Sequence, residues 1–427
     1  MRPRAFASII GLILLLVSSL AFASDPIPAD PPARWWKGNL HTHTLWSDGD
    51  DFPEMVAEWY REHGYHFLGL SDHNTLSQGQ RWMRAAEIEK RGGKAPIEKY
   101  LKRFGSSWVE QREKDQVREV RLKPLGEFRT LLEERDRFLL IQSEEITDKF
   151  GQSPIHMNAT NLLELIKPGG GSSVAETIEN NFRAAQAQSQ KMGQEILVHL
   201  NHPNFGWGVT AEDLAQVLSE HFFEIFNGHP GVRQLGDQTH VSMERMWDIA
   251  SSLRMKKMNS RPLYGLATDD SHHYHFPGMK RSTCGRGWIM VRAAHLTPES
   301  LIRSIKAGDF YGSTGVTLGD VKFEAGTLSI EIDPAEGETY VTNFIGTEKD
   351  ADVTGRAPPA ATTQRVTQVY SNDIGKTLAT AQGVKVSYKF TGKELYVRAV
   401  ITSSAPPANP SLENQKKQAW TQPVGWK

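Results

Sequence analysis

The sequence predicts an α/β protein in two parts, a barrel of alternating strands and helices followed by a small antiparallel β-rich domain. Short apolar runs recur between helical stretches, and each stops at His, Asp or Glu. Residues 67–70 stop at Ser71-Asp72-His73-Asn74, and 138–141 at Ser143-Glu144-Glu145. Pro154-Ile155 leads into His156, 196–198 into His199-Leu200-Asn201-His202-Pro203, and 264–267 into Thr268-Asp269-Asp270-Ser271-His272. Such runs read as buried parallel strands, whose carboxyl ends carry ligands and catalysis in α/β barrels. Beyond about Gly315 the pattern changes. Leu328/Ile330/Ile332, Val384/Val386/Tyr388/Phe390 and Leu395/Val397/Ala399/Ile401 alternate strictly, the mark of half-buried antiparallel strands in a β-sandwich-like module. At 427 residues the chain is long enough for both parts.

Taken in order, residues 1–23 have the parts of a secretory signal. Arg2 and Arg4 precede an apolar stretch at 9–20 and the small-x-small site Ala21-Phe22-Ala23. That stretch is short for a membrane span, which takes about 20 residues, so export with cleavage before Ser24 is expected and no stable membrane anchor. Residues 24–34 form a Pro-rich spacer, and the first domain runs from 35 to 315. Pro53 opens a helix with Val56, Trp59 and Tyr60 on one face, and Gly64 ends it. Residues 80–137 are dense in Lys, Arg and Glu and read as a pair of solvated surface helices inserted into the domain. Because the insertion leaves directly from Asp72-His73, the functional alternative is a lid with Trp82 and Trp108 at the entrance. The glycine-rich 167–173 lacks the Gly-Lys-Ser/Thr of a phosphate loop and is a plain connector to a helix at 174–191. A strand at 222–226 brings Glu224 and Asn227 toward the site. A helix at 234–258 carries a Met/Trp stripe that reads as core, a strand follows at 288–291, and a helix at 297–307 closes the domain. The β-rich part, 316–427, holds a polar Ala/Pro-rich loop at 350–364.

The chemistry begins at His41-Thr42-His43. Two is the side-chain period of a strand, so a strand over 37–43 sends both imidazoles to one face, where they can converge on a cation. Asp48 follows in a Ser-Asp-Gly turn and adds an oxygen. Asp270 and His272 share a face by the same period. Taken together, His-x-His with Ser-Asp-Gly, Ser-Asp-His-Asn, a Glu-Ile-Thr strand end, an isolated His, His-Pro and Asp-x-His come in the order found in the polymerase and histidinol phosphatase (PHP) family. Residues 41–288 resemble that family of metallohydrolases. The Trp420-Thr421-Gln422-Pro423 ending is similar to its branch of carbaryl-hydrolase-type enzymes.

The resemblance implies a distorted (βα)7 barrel and two or three clustered divalent metals, Zn, Mn or Fe. It implies that His41, His43, Glu145 and Asp270 hold one metal, that Glu145 bridges to a second held by His156 and His202, and that Asp48, His73 and His272 hold a third. Glu145, Asp270 and His202 are the residues placed closest to catalysis. Glu144 competes with Glu145, and His199 with His202; the motif favours the second of each pair. Asp269 and Asp72 are expected to orient ligands. The other histidines, among them His63, His66, His221, His229, His240, His273, His275 and His295, read as ordinary polar residues.

A mixed His/carboxylate set without thiolate excludes a structural zinc finger. Such a centre lowers the pKa of bound water to about 7 and supplies hydroxide at neutral pH. No Gly-x-Ser-x-Gly elbow appears, so direct attack by water is expected. The leading expectation is an exported phosphoesterase acting on a small-molecule phosphoester. A carbamate, amide or ester hydrolase is the alternative, and a non-catalytic periplasmic binding protein the alternative of another class. The formal charge is −1, and −3 without Arg2 and Arg4; neither value suits a nucleic-acid surface. Lys280, Arg281 and Arg286 could meet a phosphate, although a solvated loop is the simpler reading. Cys284 is the one cysteine and reads as structural. Oligomeric state is not written in these features.

Overall fold

The computed structural model describes residues 29–358 and 363–426; the signal segment, much of the Pro-rich spacer and the middle of the 350–364 loop lie outside them. Strand β1 (Arg34–Asn39) enters the core and ends two residues before His41, earlier than the strand expected over 37–43. The backbone of Asn39–Thr42 turns to reach neighbours across the mouth, and Thr42 bridges Ser271 in parallel sense. Helix α1 (Pro53–Glu62) starts on proline, whose fixed φ suits a first turn, and buries Val56, Ala57 and Tyr60. It returns the chain to β2 (Phe67–Leu70), which is parallel to β1.

The 80–137 insertion is not the expected pair of helices. It contains β3 (Arg81–Arg84), α2 (Ala85–Gly92), α3 (Ala95–Phe104), β4 (Gln111–Lys114), β5 (Val117–Leu122) and α4 (Leu125–Leu132). The three strands form their own antiparallel sheet, ordered β3-β5-β4. Its core joins Ile88, Ile97, Tyr100, Val109 and Val120 to Leu45, Trp46 and Phe52 of the loop after β1. Trp108 is turned into this packing, donating Nε1–H to Glu54 Oε1 at 3.1 Å and so not forming an entrance wall. Trp82 lies under the Arg112 guanidinium, 4.1 Å away.

Strands β6 (Leu139–Phe150) and β7 (Ser153–Thr160) form an antiparallel hairpin in which Glu145 faces Asn158 and Thr147 faces His156. Helix α5 (Val174–Met192) is capped by Ser173 and ended by Gly193, whose φ of +64° suits glycine. Strands β8 (Leu197–Leu200), β9 (Phe222–Asn227) and β10 (Tyr264–Thr268) follow, separated by α6 (Ala211–Gln216) and α7 (Met243–Lys257). The last of these helices begins nine residues later than the Met/Trp stripe suggested, because Ser242 caps it by accepting from the Arg245 N–H. The stripe is core, as expected: Met243, Met246, Trp247 and Ile249 are buried.

Around the mouth the strands are ordered β10-β9-β8-β7-β6-β2-β1, and the Thr42–Ser271 bridge links the last to the first. The sheet is mixed where an all-parallel one was expected: β6–β7 and β7–β8 are antiparallel. The reason is local. Gly151, at φ +58°, folds β6 straight back on itself in a hairpin, leaving no room for a crossover helix.

The remaining elements are β11 (Trp288–Ala293), α8 (Pro298–Ala307), β12 (Phe310–Ser313), β13 (Thr317–Glu324), β14 (Thr327–Asp333), β15 (Tyr340–Glu348), β16 (Lys376–Gln382), β17 (Lys385–Lys389), β18 (Glu394–Ser403) and β19 (Gln418–Thr421). Strands β11-β12-β19-β18-β15-β16 continue the large sheet outward from β1. The expected boundary near 315 therefore falls inside a continuous sheet. Strands β13-β14-β17 form a second sheet, and Leu328, Ile330 and Val386 from it share one core with Phe344, Val397 and Ile401. Residues 33–427 cluster as one compact unit.

A candidate metal centre at the mouth of the sheet

Every residue proposed above as a ligand reaches this mouth. His41 and His43 leave the loop after β1, Asp48 the turn beyond it, His73 the end of β2, and Glu145 the middle of β6. His156 comes from β7, His202 from the turn after β8, and Asp270 and His272 from the loop after β10. Two of them sit at backbone angles that L-residues seldom adopt, His202 at φ +24° and Asp270 at φ +50°. Such strain is kept where geometry matters more than local stability.

Glu145 is the hub. Its Oε2 lies 3.4 Å from His41 Nε2 and 3.3 Å from His43 Nε2. On the far side of the same gap, Asp270 Oδ1 lies 3.3 and 3.1 Å from those two nitrogens. The Nε2 atoms of His41 and His43 and Oε2 of Glu145 are buried without a hydrogen-bond partner. Four donors held roughly 2.0–2.2 Å from a tetrahedral cation stand about 3.3–3.6 Å from one another, so these edges, at or just under that spacing, leave a gap of the size of an ion. The other oxygen of Glu145, Oε1, lies 3.1 Å from His156 Nδ1 and 3.4 Å from His202 Nε2. A third group gathers around Asp48, with His272 Nε2 at 3.4 Å and His43 Nδ1 and His73 Nε2 each at 3.5 Å. The donor sets fit divalent ions.

The imidazoles are aimed from behind. His41 Nδ1 donates to Glu224 Oε1 at 2.7 Å, which leaves the Nε2 lone pair pointing at the gap. Glu224 is itself fixed by Thr268 Oγ1, Asn227 Nδ2 and the His202 N–H. His272 Nδ1 donates to the Asp270 carbonyl at 2.9 Å, and His73 Nδ1 to Thr147 Oγ1 at 2.5 Å. Asn201 Nδ2 donates to Glu145 Oε1 at 2.8 Å. Thr147 and Asn201 escaped the sequence reading, yet Thr147 is one strand period from Glu145 and Asn201 adjoins His202.

Electrostatics follow the packing. Burial pushes the Glu145 carboxyl up, but the imidazoles of His73, His41 and His156 outweigh it and hold it well below its ordinary range. Burial would lower His73, yet Glu145 and Asp48 beside it raise it to about 11. Burial, with His272 next to it, pushes His43 down to about 3.

Several second choices resolve differently. Glu144 points away and accepts the Ile166 N–H at 2.9 Å. His199 is fully buried and stops 3.6 Å from Glu224, outside the cluster. Asp72 orients no imidazole; it accepts from Thr44 N, Thr44 Oγ1 and Ser47 Oγ, because the turn around Asp48 needs those donors held. Asp269 likewise serves backbone, accepting from Gly285, Arg286 and Gly287 N–H and from Tyr60 OH. Arg286 is buried and spends its guanidinium on the carbonyls of Gly228, Arg281 and Gly278, so it does not face a phosphate. Cys284 is buried and free. His229, read as an ordinary polar residue, stands at the mouth with its ring 5.6 Å from that of His272 and 6.1 Å from that of Phe205. Its Nδ1 accepts the Gly231 N–H at 2.9 Å, so a neutral ring carries its proton on Nε2.

No family model matches this chain, and no curated protein matches it. Among solved structures the chain is similar to a two-domain protein from Bacteroides vulgatus containing a predicted PHP-like metal-dependent phosphoesterase. The identity is 15% over 93% of this chain and 97% of that one, with a TM-score of 0.40. It is also similar to a candidate metal-dependent phosphoesterase from Bifidobacterium adolescentis, 14% identical over 58% of this chain and 91% of that one, with a TM-score of 0.29. The likeness of this chain to the PHP family rests on its own motifs, and the structure gathers those motifs at one mouth.

Proposed function

We propose that this chain is a metal-dependent hydrolase of the PHP type that cleaves a small phosphoester by direct attack of water. In this reading the mouth strands are the family's distorted (βα)7 barrel, the last quarter is a β-sandwich, and the protein works outside the cytoplasm after loss of residues 1–23. The observation that carries it is Glu145, whose Oε2 faces His41 and His43, with His73 Nδ1 2.9 Å away, and whose Oε1 faces His156 and His202. A carboxylate shared in this way offsets the repulsion between neighbouring cations.

His41, His43, Glu145 and Asp270 would hold one divalent ion, Glu145, His156 and His202 a second, and Asp48, His73 and His272 a third. Divalent ions bound there supply an activated water and neutralise charge on phosphoester oxygens. The chain's own groups do the rest. Glu224 keeps the proton of His41 on Nδ1, and the Asp270 carbonyl keeps that of His272 on Nδ1. Asn227 Nδ2 holds Asp270 Oδ2 at 3.1 Å, fixing which oxygen faces His41 and His43. His229 offers an Nε2–H at the mouth to a substrate oxygen.

The test is elemental analysis of the purified protein together with turnover of aryl phosphate mono- and diesters, carboxylic esters and carbamates. Two or three divalent ions per chain are expected, with metal-dependent turnover of a phosphoester. Metal-dependent turnover confined to the carbamates or esters would overturn the substrate class. Metal without turnover of any ester would overturn the enzyme.

A further inference from the structure

The 80–137 insertion grips the turn that carries Asp48. Arg91, in the last turn of α2, donates through one guanidinium nitrogen to the carbonyls of Ser47 at 2.6 Å and Gly49 at 3.0 Å, the residues flanking Asp48. Arg81 donates to the Trp46 carbonyl, and the Trp46 indole Nε1–H to the Lys123 carbonyl at 3.2 Å. The turn is tight. A Cβ on Gly49 would lie 2.7 Å from the His43 carbonyl carbon and oxygen, so the chain passes close over its own backbone just after Asp48.

The Asp48 carboxylate itself is poorly held. Its side chain is 54% exposed, and the Ser47 hydroxyl, 3.2 Å away, turns its one proton to Asp72 Oδ1 at 2.6 Å. Its remaining neighbours are the imidazoles of His43, His73 and His272, between 3.4 and 3.5 Å away. The first two candidate sites are built differently, from mostly buried side chains on β6 and β7, on the loops after β1 and β10 and on the turn after β8. Asp48 alone among the carboxylates depends on a surface turn.

The insertion is anchored firmly enough to act as a support. Glu54 of α1 is fully buried and accepts from Tyr100 OH at 2.5 Å and Trp108 Nε1–H at 3.1 Å. Arg103 pairs with Glu58 of the same helix, and Ile88 and Ile97 pack around Trp46 and Phe52. The insertion also reaches the strand-end loop that carries His272, through Lys99 and His275 at 3.3 Å.

From this geometry we propose that Arg91 is a positioning residue for the third metal site, and that the insertion is a brace for Asp48 and not a moving lid. The proposal rests on the metal-centre reading above. Partners that orient a ligand commonly govern affinity by about 10–100-fold, and the effect here falls on one site of the three.

The test measures zinc per chain after equilibration at a series of buffered free-zinc concentrations, for wild type, Asp48→Asn, Arg91→Met, Arg91→Lys and the exposed insertion variant Lys102→Met. Thermal melts of the metal-stripped proteins confirm folding. Arg91→Met is expected to weaken the most weakly bound zinc at least about tenfold, leaving the others unchanged. Arg91→Lys, which keeps the charge and can reach one carbonyl, should recover part of that loss, and Lys102→Met should match wild type. If Asp48→Asn loses a zinc while both Arg91 variants bind as wild type does, the brace is wrong and the centre stands. If neither Asp48→Asn nor Arg91→Met changes zinc content, the third site is misassigned and the brace falls with it. Equal weakening of all zincs by Arg91→Met would also overturn the proposal, since a general loss of structure would explain it.

Discussion

Two buried carboxylates in this molecule solve the same electrostatic problem in opposite ways. Asp248 of α7 sits where the first part of the chain meets the β-rich part. Its oxygens accept from Arg398 Nε at 2.9 Å, Arg398 Nη2 at 2.7 Å and Tyr396 OH at 2.7 Å. It is closed, with a built-in cation. Glu145 is equally buried, but it is ringed by imidazoles: His73 Nδ1 stands 2.9 Å from its Oε2, and the Nε2 atoms of His41 and His43 beside that oxygen have no hydrogen-bond partner. A closed pair fixes two elements together, whereas an open ring of lone pairs around a carboxylate reserves room for a charge that comes from outside. Burial alone does not distinguish a structural charge from a functional one; the satisfaction of its neighbours does.

The hardest way to break the contrast is to remove the closed side altogether. Every proposed ligand precedes Gly315, and the sequence alone suggests that a chain ending there keeps its metals. The structure argues otherwise. Gln422 donates to the Gly265 carbonyl at 3.0 Å and accepts the Gly265 N–H at 2.9 Å, so β10, which leads to Asp270, would lose both of these hydrogen bonds and be left with β9 as its strand partner. Asp248 would lose Arg398 as well. Truncation at 315 is expected to give no cooperative melt and no stoichiometric metal. A folded, metal-loaded fragment would show that the two parts are separable.

Next in size is Glu145→Gln, which keeps volume but removes the shared anion. Phosphoester turnover should fall by at least about a thousandfold, several kcal/mol of transition-state stabilisation, with metal content reduced. Its metal-stripped melt should stay close to that of wild type. Asp248→Asn should do the reverse. Leaving Arg398 buried without its carboxylate costs about 3–5 kcal/mol, seen as a lower melting temperature, while the folded protein keeps wild-type metal per chain. A variant that lost metal at unchanged stability would contradict the separation of roles.

The smallest effect concerns a third kind of buried carboxyl. Burial raises Glu54 to about 7, and Tyr100 and Trp108 only partly oppose it. The folded state therefore keeps this proton where the unfolded chain, with an ordinary carboxyl near 4.5, has released it. Its stabilising contribution is complete below about pH 4.5 and is lost as pH rises through about 7, at up to roughly 1.4 kcal/mol per pH unit. Glu54→Gln should flatten the slope of stability against pH over that window. An unchanged slope in chemical denaturation at pH 5, 6 and 7 would remove Glu54 from the account.

Much of the mouth was legible because strand ends advertise themselves. The apolar runs before His73, His202 and Asp270 stop at polar residues, although Thr147, one strand period from Glu145, was not read from them. Glu145 was preferred over Glu144 by its place in the motif before Ile146-Thr147; alternation alone says only that the two point opposite ways. His156 was legible as a ligand candidate but not in its placement. It lies opposite Thr147 in a hairpin whose polar continuation past Ile146 gave no strand signal. The insertion's sheet was hidden for a similar reason. Residues Gln111-Arg-Glu-Lys carry no apolar side chain, and the hairpin turn Asp115-Gln116, with both φ values positive, lacks the glycine that usually marks such a turn. Nor could the sequence show that Arg91 would reach Ser47 and Gly49, because that pairing depends on how two separate segments pack.

The bond between Gln422 and Gly265 also bears on when the site can exist. The two residues are 157 positions apart, and the chain is made from the other end. A growing polypeptide that already contains every histidine and carboxylate of the mouth still lacks the partner that settles the strand before Asp270. Contacts so distant in sequence form slowly and late. Final ordering of the centre is therefore expected to follow completion of the chain, with β10 resting on β9 until Gln422 arrives.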